Sequence, residues 1–438
     1  MERLNCIIMG AAGRDFHDFL TFFHDHPQFR VCCFTAEQIP FIANRSFPHE
    51  LAGGGYKSDI PIVGEEELEA LIERYRVRFV FLSLSDLSHE EVMHRASRVQ
   101  AAGASFVLLG PEHTELTSRL PVITITAVRT GAGKSPLSRA VATFLHDRGL
   151  RVGVMRHPMP YGDLRLQRVQ RFKSAGDLDE HSCTIEEREE YQPYLDRGLV
   201  VYAGVDYRAI LAAAEAESDV ILWDGGNNDG PFLRPSLSIV VADALRAGDE
   251  LSYYPGETNM RRADVVVVSK VDQATAAQIA KVREHAAQLA PRAKLVDAAL
   301  RIEVDAPTAI TDKRVIVVED GPTTTHGGMP SGAGFVAAKR HEAREIIDPR
   351  PFAMGTIAEA YRRYPHLDRV LPALGYSDAQ RRELAATIRS AAPDAVVDGS
   401  PARLDRVLEL DVPVVNVRYE FEQRSGPDLM QLIADAVR

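Results

Sequence analysis

A glycine-rich loop that ends in lysine and serine is the segment whose residue types and spacing point most directly to a chemistry. The loop, residues 128–135, follows an apolar β-branched run at residues 121–126 and opens a helical pattern at residues 137–145. Small residues let backbone N–H groups converge on phosphate oxygens, and the helix N-terminus adds its positive dipole end. Lys134 is spaced to reach the β- and γ-phosphates, and the Ser135 hydroxyl to bind Mg²⁺. The segment predicts a P-loop whose nucleotide contacts are Arg129, Thr130, Gly131, Ala132, Gly133, Lys134 and Ser135.

Two residues of this loop refine the interpretation. Val128 stands where the G-x-x-x-x-G-K-[ST] pattern has its first glycine, so an ordinary glycine-rich turn with a surface lysine stays the alternative. Arg129 occupies the position at which the P-loop class of dethiobiotin synthetases and MinD-like ATPases, which this loop resembles, often carries a second lysine. We expect Arg129 to contact phosphate in its own subunit or across a dimer interface, unless it is a solvent-exposed loop arginine.

An apolar strand that ends in a carboxylate supplies the second part of a nucleotide site. Residues 219–223 are followed by Asp224 and two glycines. Beside a P-loop, a carboxylate at the carboxyl end of a strand can hold Mg²⁺ directly or through water. The sequence therefore predicts Mg²⁺ as a cofactor bound by Ser135 and Asp224, with Asp229 as the second-choice acid. An aspartate that only caps a glycine turn is the alternative.

The segment Ser269-Lys270-Val271-Asp272 follows another apolar strand and resembles the [NTS]-K-x-D element of GTP-binding proteins. In that element the aspartate accepts hydrogen bonds from guanine and the lysine stem lies against the base. We therefore expect Lys270 and Asp272 to contribute to nucleotide binding, with ATP or GTP as the co-substrate. A generic surface turn is the alternative.

Basic residues concentrate after the next strand, although the chain is acidic as a whole. Arg156 and His157 follow that strand, and Arg168 and Arg171 come soon after them. Arginine is the preferred side chain for binding phosphate and carboxylate, so we expect these residues to bind a phosphorylated small-molecule anion. Arg156 and His157 are also candidate catalytic residues, together with Lys134, Arg129 and Asp224. Thr325 and His326, in a polar loop, are further candidate substrate contacts; a solvated helix face and a plain polar loop are the alternatives.

Strands that alternate with helices predict an α/β fold built on parallel sheets. Residues 1–119 form a predicted Rossmann-like domain, although its first loop is G-x-x-G rather than the dinucleotide fingerprint. A bound ligand and a purely structural or oligomerisation role both stay open for that domain. Residues 120–313 form the predicted P-loop domain, and residues 314–438 either extend its sheet or form a subdomain.

Composition restricts the classes of function. The 438 residues carry a formal net charge of −11, which argues against nucleic acid or an anionic membrane surface as partner. No apolar run approaches the roughly 20 residues of a membrane-spanning helix. The four cysteines have no C-x-x-C spacing, and Cys32 and Cys33 lie inside a predicted strand, so they are expected to be core residues. These features favour a cytoplasmic enzyme.

Several of these segments together resemble a family of predicted GTPases grouped with cyclic 2,3-diphosphoglycerate synthetase. The resemblance is carried by residues 10–16, 128–135, 156–164, 223–229 and 325–328. It implies a homodimer or higher homo-oligomer and a Mg²⁺-dependent reaction that closes a bisphosphorylated acid into an internal phosphoanhydride. In such a reaction, Lys134, Arg129 and Mg²⁺ would stabilise the transferring charge, while Arg156 and His157 hold the co-substrate. A GTPase switch or chaperone, and a nucleotide-sensing scaffold without turnover, are the alternatives.

Overall fold

The computed structural model describes residues 3–11, 13–36, 45–157, 159, 162–325, 328–374, 378–401 and 403–438. The first elements of the chain form a mostly parallel sheet covered by helices, in which only β3 is antiparallel to its neighbour among the described residues. Its strands are β1 (Leu4–Met9), β2 (Phe29–Ala36), β3 (Ser46–Phe47), β4 (Ile60–Gly64), β5 (Phe79–Leu82) and β7 (Ser105–Leu108), and this part of the chain also contains the short strand β6 (Leu87–Ser88). Its helices are α1 (Arg14–Asp18), α2 (His49–Ala52), α3 (Leu68–Tyr75), α4 (His89–Ala101) and α5 (Pro111–Thr114), with a π-helical turn at Phe19–Phe23 after α1.

Within the described residues, this sheet has six strands in the order β3-β4-β2-β1-β5-β7, and β6 lies outside it. Strand β1 shows why both faces are covered, because its apolar residues point alternately to two cores. Ile8 packs with Phe16 and Phe19 of the first helical segment. Ile7 packs on the opposite side with Leu68 of α3 and neighbouring residues of α4. The free thiols of Cys6 and Cys33 are buried in these cores, as predicted for Cys33, whereas Cys32, which was also expected to be a core residue, is only partly buried.

The second sheet begins at the strand that precedes the P-loop. Its first strands are β8 (Val122–Ala127), β9 (Val152–Arg156), β10 (Gln170–Phe172), β11 (Val200–Ala203), β12 (Val220–Asp224), β13 (Leu237–Asp243), β15 (Val265–Ser269) and β16 (Lys294–Val304). The short strand β14 (Tyr253–Tyr254) of this part of the chain pairs with β6 instead. The helices of this part are α6 (Lys134–Asp147), α7 (Ala175–Glu180), α8 (Ile185–Leu195), α9 (Tyr207–Glu217), α10 (Gly256–Arg261) and α11 (Ala276–Leu289).

The run of four valines in β15 shows how this sheet is buried on both faces. Val265 and Val267 lie in the core beneath α6, whereas Val266 and Val268 lie in the core beneath α11. Continuous β-branched runs of this kind are typical of parallel sheets with helices on both sides. The predicted α/β class is confirmed.

The last third of the chain supplies further strands and helices. The strands are β17 (Arg314–Glu319), β18 (Glu345–Ile346), β19 (Leu371–Pro372), β20 (Ala395–Gly399) and β21 (Val414–Ser425). The helices are α12 (Gly321–Thr324), α13 (Ala333–Arg340), α14 (Gly355–Arg363), α15 (Asp378–Ala391), α16 (Leu404–Val407) and α17 (Leu429–Ala436).

These strands extend the P-loop sheet. Among the described residues the joint sheet has 13 strands, with the path β10-β11-β9-β12-β8-β13-β15-β16-β21-β20-β17-β18 and β19 beside β17. The junction is antiparallel, because β21 pairs with β16 in that sense while it pairs with β20 in parallel. The strand that precedes the P-loop, β8, therefore belongs to the same continuous sheet as β17 and β20.

None of the helices in the described part of the chain combines the length and the apolar character needed to cross a bilayer.

Candidate functional site

The P-loop lies between the end of β8 and the start of α6, as its sequence pattern predicts. Gly131 and Gly133 adopt left-handed φ values of +78° and +98°, a region that favours glycine. A Cβ atom at Gly133 would also lie 2.9 Å from Cδ1 of Leu300. The loop borders a cavity of about 660 Å³, and the predicted contacts Arg129, Thr130, Gly131, Ala132, Gly133, Lys134 and Ser135 all line it.

Asp224, at the end of β12, lies directly behind the P-loop and is fully buried. Its Oδ1 accepts hydrogen bonds from Nζ of Lys134 at 2.9 Å and from Oγ of Ser138 at 2.8 Å. Its Oδ2 accepts the Tyr194 hydroxyl at 2.6 Å and the guanidinium of Arg156. Burial alone would raise the pKa of Asp224, but the charges of Arg156 and Lys134 lower it well below its usual range. The carboxylate is therefore ionised and held in a fixed orientation.

Arg156 links this carboxylate to the cavity wall. Its side chain is 2% exposed and bridges Asp224 and Glu190 of α8, and Glu190 lines the cavity. A buried arginine between two carboxylates is fully compensated, and losing either partner would leave a buried charge uncompensated. In this structure Arg156 serves as a support for the two acids.

His157 lies behind the loop that follows β12. Its ring packs against Gly226, where a Cβ atom would approach Cγ of His157 to 2.7 Å. Its Nδ1 is 3.2 Å from Oδ2 of Asp229. Gly226 itself borders the cavity, so His157 contacts the rear of the cavity wall.

The remaining predicted anion contacts lie apart from the P-loop. Arg168 pairs with Asp206 at 2.9 Å, and Arg171 pairs with Glu217 at 2.7 Å. Each arginine is neutralised by a carboxylate that follows it by 38 or 46 residues in the chain, which explains the apparent basic cluster. Thr325 is buried and donates to the Gly321 carbonyl at 2.7 Å. His326 lies outside the described residues.

Lys270 links the P-loop to the end of β13. Its Nζ donates to the Gly131 carbonyl at 2.8 Å and to Oδ2 of Asp243 at 2.6 Å. Arg246 pairs with the same Asp243 and donates to the Thr130 carbonyl at 2.7 Å. Asp272, the other residue of the base-binding motif, is exposed. The structure thus brings Lys270 to the nucleotide loop and leaves Asp272 at the surface.

Arg129 is fixed at the rim of the cavity. Its guanidinium lies 4.1 Å from the ring centroid of Tyr253, and its Nη1 is 3.1 Å from Oδ2 of Asp249. A stacked and ion-paired arginine loses little further freedom when it contacts a phosphate.

The opposite wall of the cavity carries acidic residues that belong to none of the sequence motifs described above. Glu319 ends β17 and Asp320 follows it directly, and both line the cavity. Burial raises the pKa of Glu319 to about 7, although three backbone N–H groups at the start of α13 oppose that shift. Burial raises the pKa of Asp320 to about 6, against a hydrogen bond from Thr323, and the nearby Glu190 raises it further. An acid at the end of an apolar strand was the available signal for Asp320. Glu190 and Tyr194 lie within a helix and had no comparable signal.

The comparisons with known proteins give the family. No protein-family model matches the chain. The chain is 55% identical over 434 residues to arginine synthetase ArcE of Thermococcus kodakarensis, and the alignment covers 99% of this chain and 97% of the relative. Among solved structures, LpxK from Aquifex aeolicus in complex with ATP has a TM-score of 0.44 at 12% identity, covering 85% of this chain and 100% of that one. The hydrogenase maturation factor HypB from Archaeoglobus fulgidus has a TM-score of 0.27 at 17% identity, covering 41% and 81%.

The curated relative carries the family assignment, because its identity extends over nearly the whole of both chains. The expectation of a P-loop enzyme of the synthetase type agrees with it, whereas the name cyclic 2,3-diphosphoglycerate synthetase does not. This chain belongs to the family of arginine synthetase ArcE, and it is an enzyme.

Proposed function

We propose that this enzyme forms arginine in a reaction driven by a nucleoside triphosphate. The observation that carries the proposal is the composition of the cavity, in which the P-loop faces the carboxylates of Glu190 and Asp320, with Glu319 buried beside Asp320. Carboxylates bind a planar guanidinium through charge-assisted hydrogen bonds. A phosphate-binding wall opposite an acidic wall suits a reaction that builds a guanidinium beside a γ-phosphate. The name of the 55% identical relative supports the same product.

The chemistry of this reaction is replacement of a ureido oxygen by nitrogen. The γ-phosphoryl group is transferred to the ureido oxygen of the amino acid citrulline, whose ureido nitrogen loses a proton. Ammonia then attacks the ureido carbon, and phosphate leaves with the former ureido oxygen. One ureido amino acid, one ammonia and one nucleoside triphosphate yield arginine, a nucleoside diphosphate and inorganic phosphate.

Each wall of the cavity has a role in this proposal. Lys134 stabilises the charge of the transferred phosphoryl group once nucleotide draws it from Asp224. Glu190, oriented by Arg156, binds the ureido or guanidinium nitrogens. Asp320, with its pKa raised to about 6 by burial, holds the incoming ammonium and takes up its proton.

Mg²⁺ is the cofactor that these residues fit. Ser135 offers a hydroxyl at the cavity, and Asp224 is kept ionised behind it by Lys134 and Arg156. Because both Asp224 oxygens already accept hydrogen bonds, this carboxylate would reach the ion through water, and Ser135 would bind it directly. Bound Mg²⁺ neutralises charge on the transferred phosphate.

A second candidate is the phosphoanhydride-forming cyclisation implied by the sequence resemblance. Arg139 favours it, because this arginine lines the same cavity and donates to the Tyr419 carbonyl at 3.0 Å. A cation there suits an anionic co-substrate. It also suits the carboxylate of an amino acid, so Arg139 fits both candidates and the acidic wall fits only the first.

Isotope transfer separates the two candidates. The protein is incubated with MgATP or MgGTP, ammonium and citrulline labelled with ¹⁸O in the ureido group, and in parallel with 2,3-diphosphoglycerate. We expect arginine by mass spectrometry and ¹⁸O in the released phosphate. Asp320→Asn should lower arginine formation about tenfold or more, as loss of a positioned acid–base group does, while Asp312→Asn, on an exposed turn, should not. Arginine without ¹⁸O in phosphate would refute the phosphoryl step, and a cyclic product without arginine would favour the second candidate.

A further inference from the structure

The N-terminal sheet turns the carboxyl ends of its strands toward the nucleotide site. In open α/β sheets, ligands bind at that edge. Here a carboxylate already occupies the backbone N–H of Gly13, because Oδ1 of Asp15 accepts a hydrogen bond from it at 2.9 Å. A carboxylate at this position repels the phosphate that a glycine loop would otherwise bind.

Arg14 makes the first contact from this edge to the P-loop domain. Its Nη1 donates to Oδ1 of Asp229 at 2.7 Å and to the Gly230 carbonyl at 3.1 Å. Asp229 is buried, and its second oxygen faces His157. Burial alone would raise the pKa of Asp229, but Arg14 and His157 lower it. The ion pair therefore ties α1 to the loop of residues 225–230.

Asp86 makes the second contact, through the fully buried Asn228. The Asp86 N–H donates to Oδ1 of Asn228 at 2.7 Å, and Nδ2 of Asn228 donates to the Val128 carbonyl at 3.0 Å. Oδ1 of Asp86 also accepts from the Thr130 N–H at 3.4 Å. A single residue of the N-terminal domain thus contacts both the P-loop and the loop after β12.

A third contact reaches Arg129. Strand β6 of the N-terminal domain pairs antiparallel with β14, and the ring of Tyr253 in β14 lies under the guanidinium of Arg129. The backbone contact continues one residue further, because the His89 N–H donates to the Ser252 carbonyl at 2.8 Å.

We infer that the N-terminal domain positions the nucleotide site and uses its ligand-binding edge for that purpose. Arg14 and Asp86 are positioning residues in this inference, because they act through Asp229, Asn228 and Thr130. The loop they hold carries Gly226 and Asn227 into the cavity wall beside the P-loop. Displacement of reacting groups by about 1 Å can cost about 100-fold in rate, so an effect of these distant residues on turnover follows.

The first test compares Arg14→Ala, Arg14→Lys and Arg98→Ala. Arg98 pairs with Glu69 inside the N-terminal domain and serves as the control. Hydrogen exchange followed by mass spectrometry should show faster exchange in peptides covering residues 225–232 in Arg14→Ala, partial recovery in Arg14→Lys, and no change there in Arg98→Ala. Exchange that rises equally across the whole N-terminal domain in Arg14→Ala would refute a specific contact.

Turnover supplies a readout that a merely structural residue would not change. Arg14→Ala should lower kcat for nucleotide consumption about 100-fold with the nucleotide KM within about threefold, and Arg14→Lys should restore part of it. Asp86→Gly keeps the positive φ of 60° at this position and the backbone N–H that donates to Asn228. It removes only the carboxylate that accepts from the Thr130 N–H, so it should lower kcat less than Arg14→Ala does. This test can use any reaction in which the protein consumes nucleotide, so it stays valid even if the protein does not form arginine. Unchanged kcat in both Arg14→Ala and Asp86→Gly would overturn the inference.

Discussion

At the scale of single residues, the site is a row of alternating charges. Lys134, Asp224, Arg156 and Glu190 follow one another from the P-loop to the opposite wall, each in contact with the next. Buried charges persist in proteins when each has a partner, and each charged group in this row lies beside at least one group of opposite charge. Nucleotide binding must compete with Asp224 for Lys134, whereas Asp224 keeps Arg156, Ser138 and Tyr194.

This arrangement predicts that Lys134→Ala abolishes turnover and preserves the fold. The loss of one cation from a developing phosphoryl transition state costs on the order of 3 kcal/mol or more, a rate loss of 100-fold or greater. The melting temperature should stay within a few degrees, because three partners of Asp224 remain. Steady-state turnover and thermal unfolding are measured beside Lys281→Ala, a control on the exposed face of α11. Unchanged turnover in purified Lys134→Ala would remove the P-loop from the mechanism.

At the scale of elements, the regular structure was predictable where local patterns are strong. Four consecutive valines in β15 and the β-branched run of β8 predicted buried parallel strands, and the loop between β8 and α6 predicted the phosphate site. The extension of the sheet by the last third of the chain was not predictable, since it depends on antiparallel pairing of β21 with β16, more than 100 residues earlier. Only tertiary structure shows such non-local pairing.

The candidate site shows the same limit. Lys134, Ser135 and Asp224 could be proposed as site residues because each stands at an element boundary with a recognisable pattern, and the structure places Lys134 and Ser135 at the cavity and Asp224 against Lys134. Arg168 and Arg171 look like substrate contacts in the sequence because they lie close together in an acidic chain. Their carboxylate partners, Asp206 and Glu217, come much later in the chain, at a helix, so the pairing is visible only in the structure. Charge clustering along the chain does not show whether a cation is already neutralised in space.

The base-binding segment after β15 gives a prediction at this scale. The contacts of Lys270 with the P-loop carbonyl and Asp243 give it a role that is independent of the base. If Asp272 accepts the guanine protons, the protein prefers GTP to ATP, and Asp272→Asn weakens GTP binding and shifts preference towards xanthosine nucleotides, because an amide cannot accept both protons. Calorimetric titration with ATP, GTP and XTP checks this prediction. Asp264→Asn is not a suitable control, because Oδ2 of Asp264 accepts a hydrogen bond from the Ser238 N–H. Equal affinities for ATP and GTP in the parent protein would contradict the motif.

At the scale of the whole molecule, two sheets meet with their carboxyl edges facing each other. The contacts between them are polar and partly buried: Arg14 with Asp229, and Asp86 with Asn228. His17 adds an apolar contact by stacking on Phe232 at 3.9 Å, and burial lowers its pKa to about 3, so it is neutral. Such an interface couples the stability of one domain to the geometry of the other, and its charged groups make that stability depend on pH.

Asp18 provides the last prediction. Burial raises the pKa of Asp18 to about 6 from 3.8, against the opposing charge of Arg14 and the hydrogen bond from Ser83. The folded protein therefore binds more protons than the unfolded chain between these values, and stability that is present below about pH 4 is lost as the pH rises through about 6. Asp18→Asn lacks this loss. The free energy of unfolding of the variant minus that of the parent should therefore be about 2 kcal/mol larger at about pH 8 than at about pH 4.5. Urea unfolding at both pH values measures the gain. Asp25→Asn, at a carboxylate 85% exposed, is the control, and a difference from the parent that is the same at both pH values would show that Asp18 is ionised in the folded protein throughout.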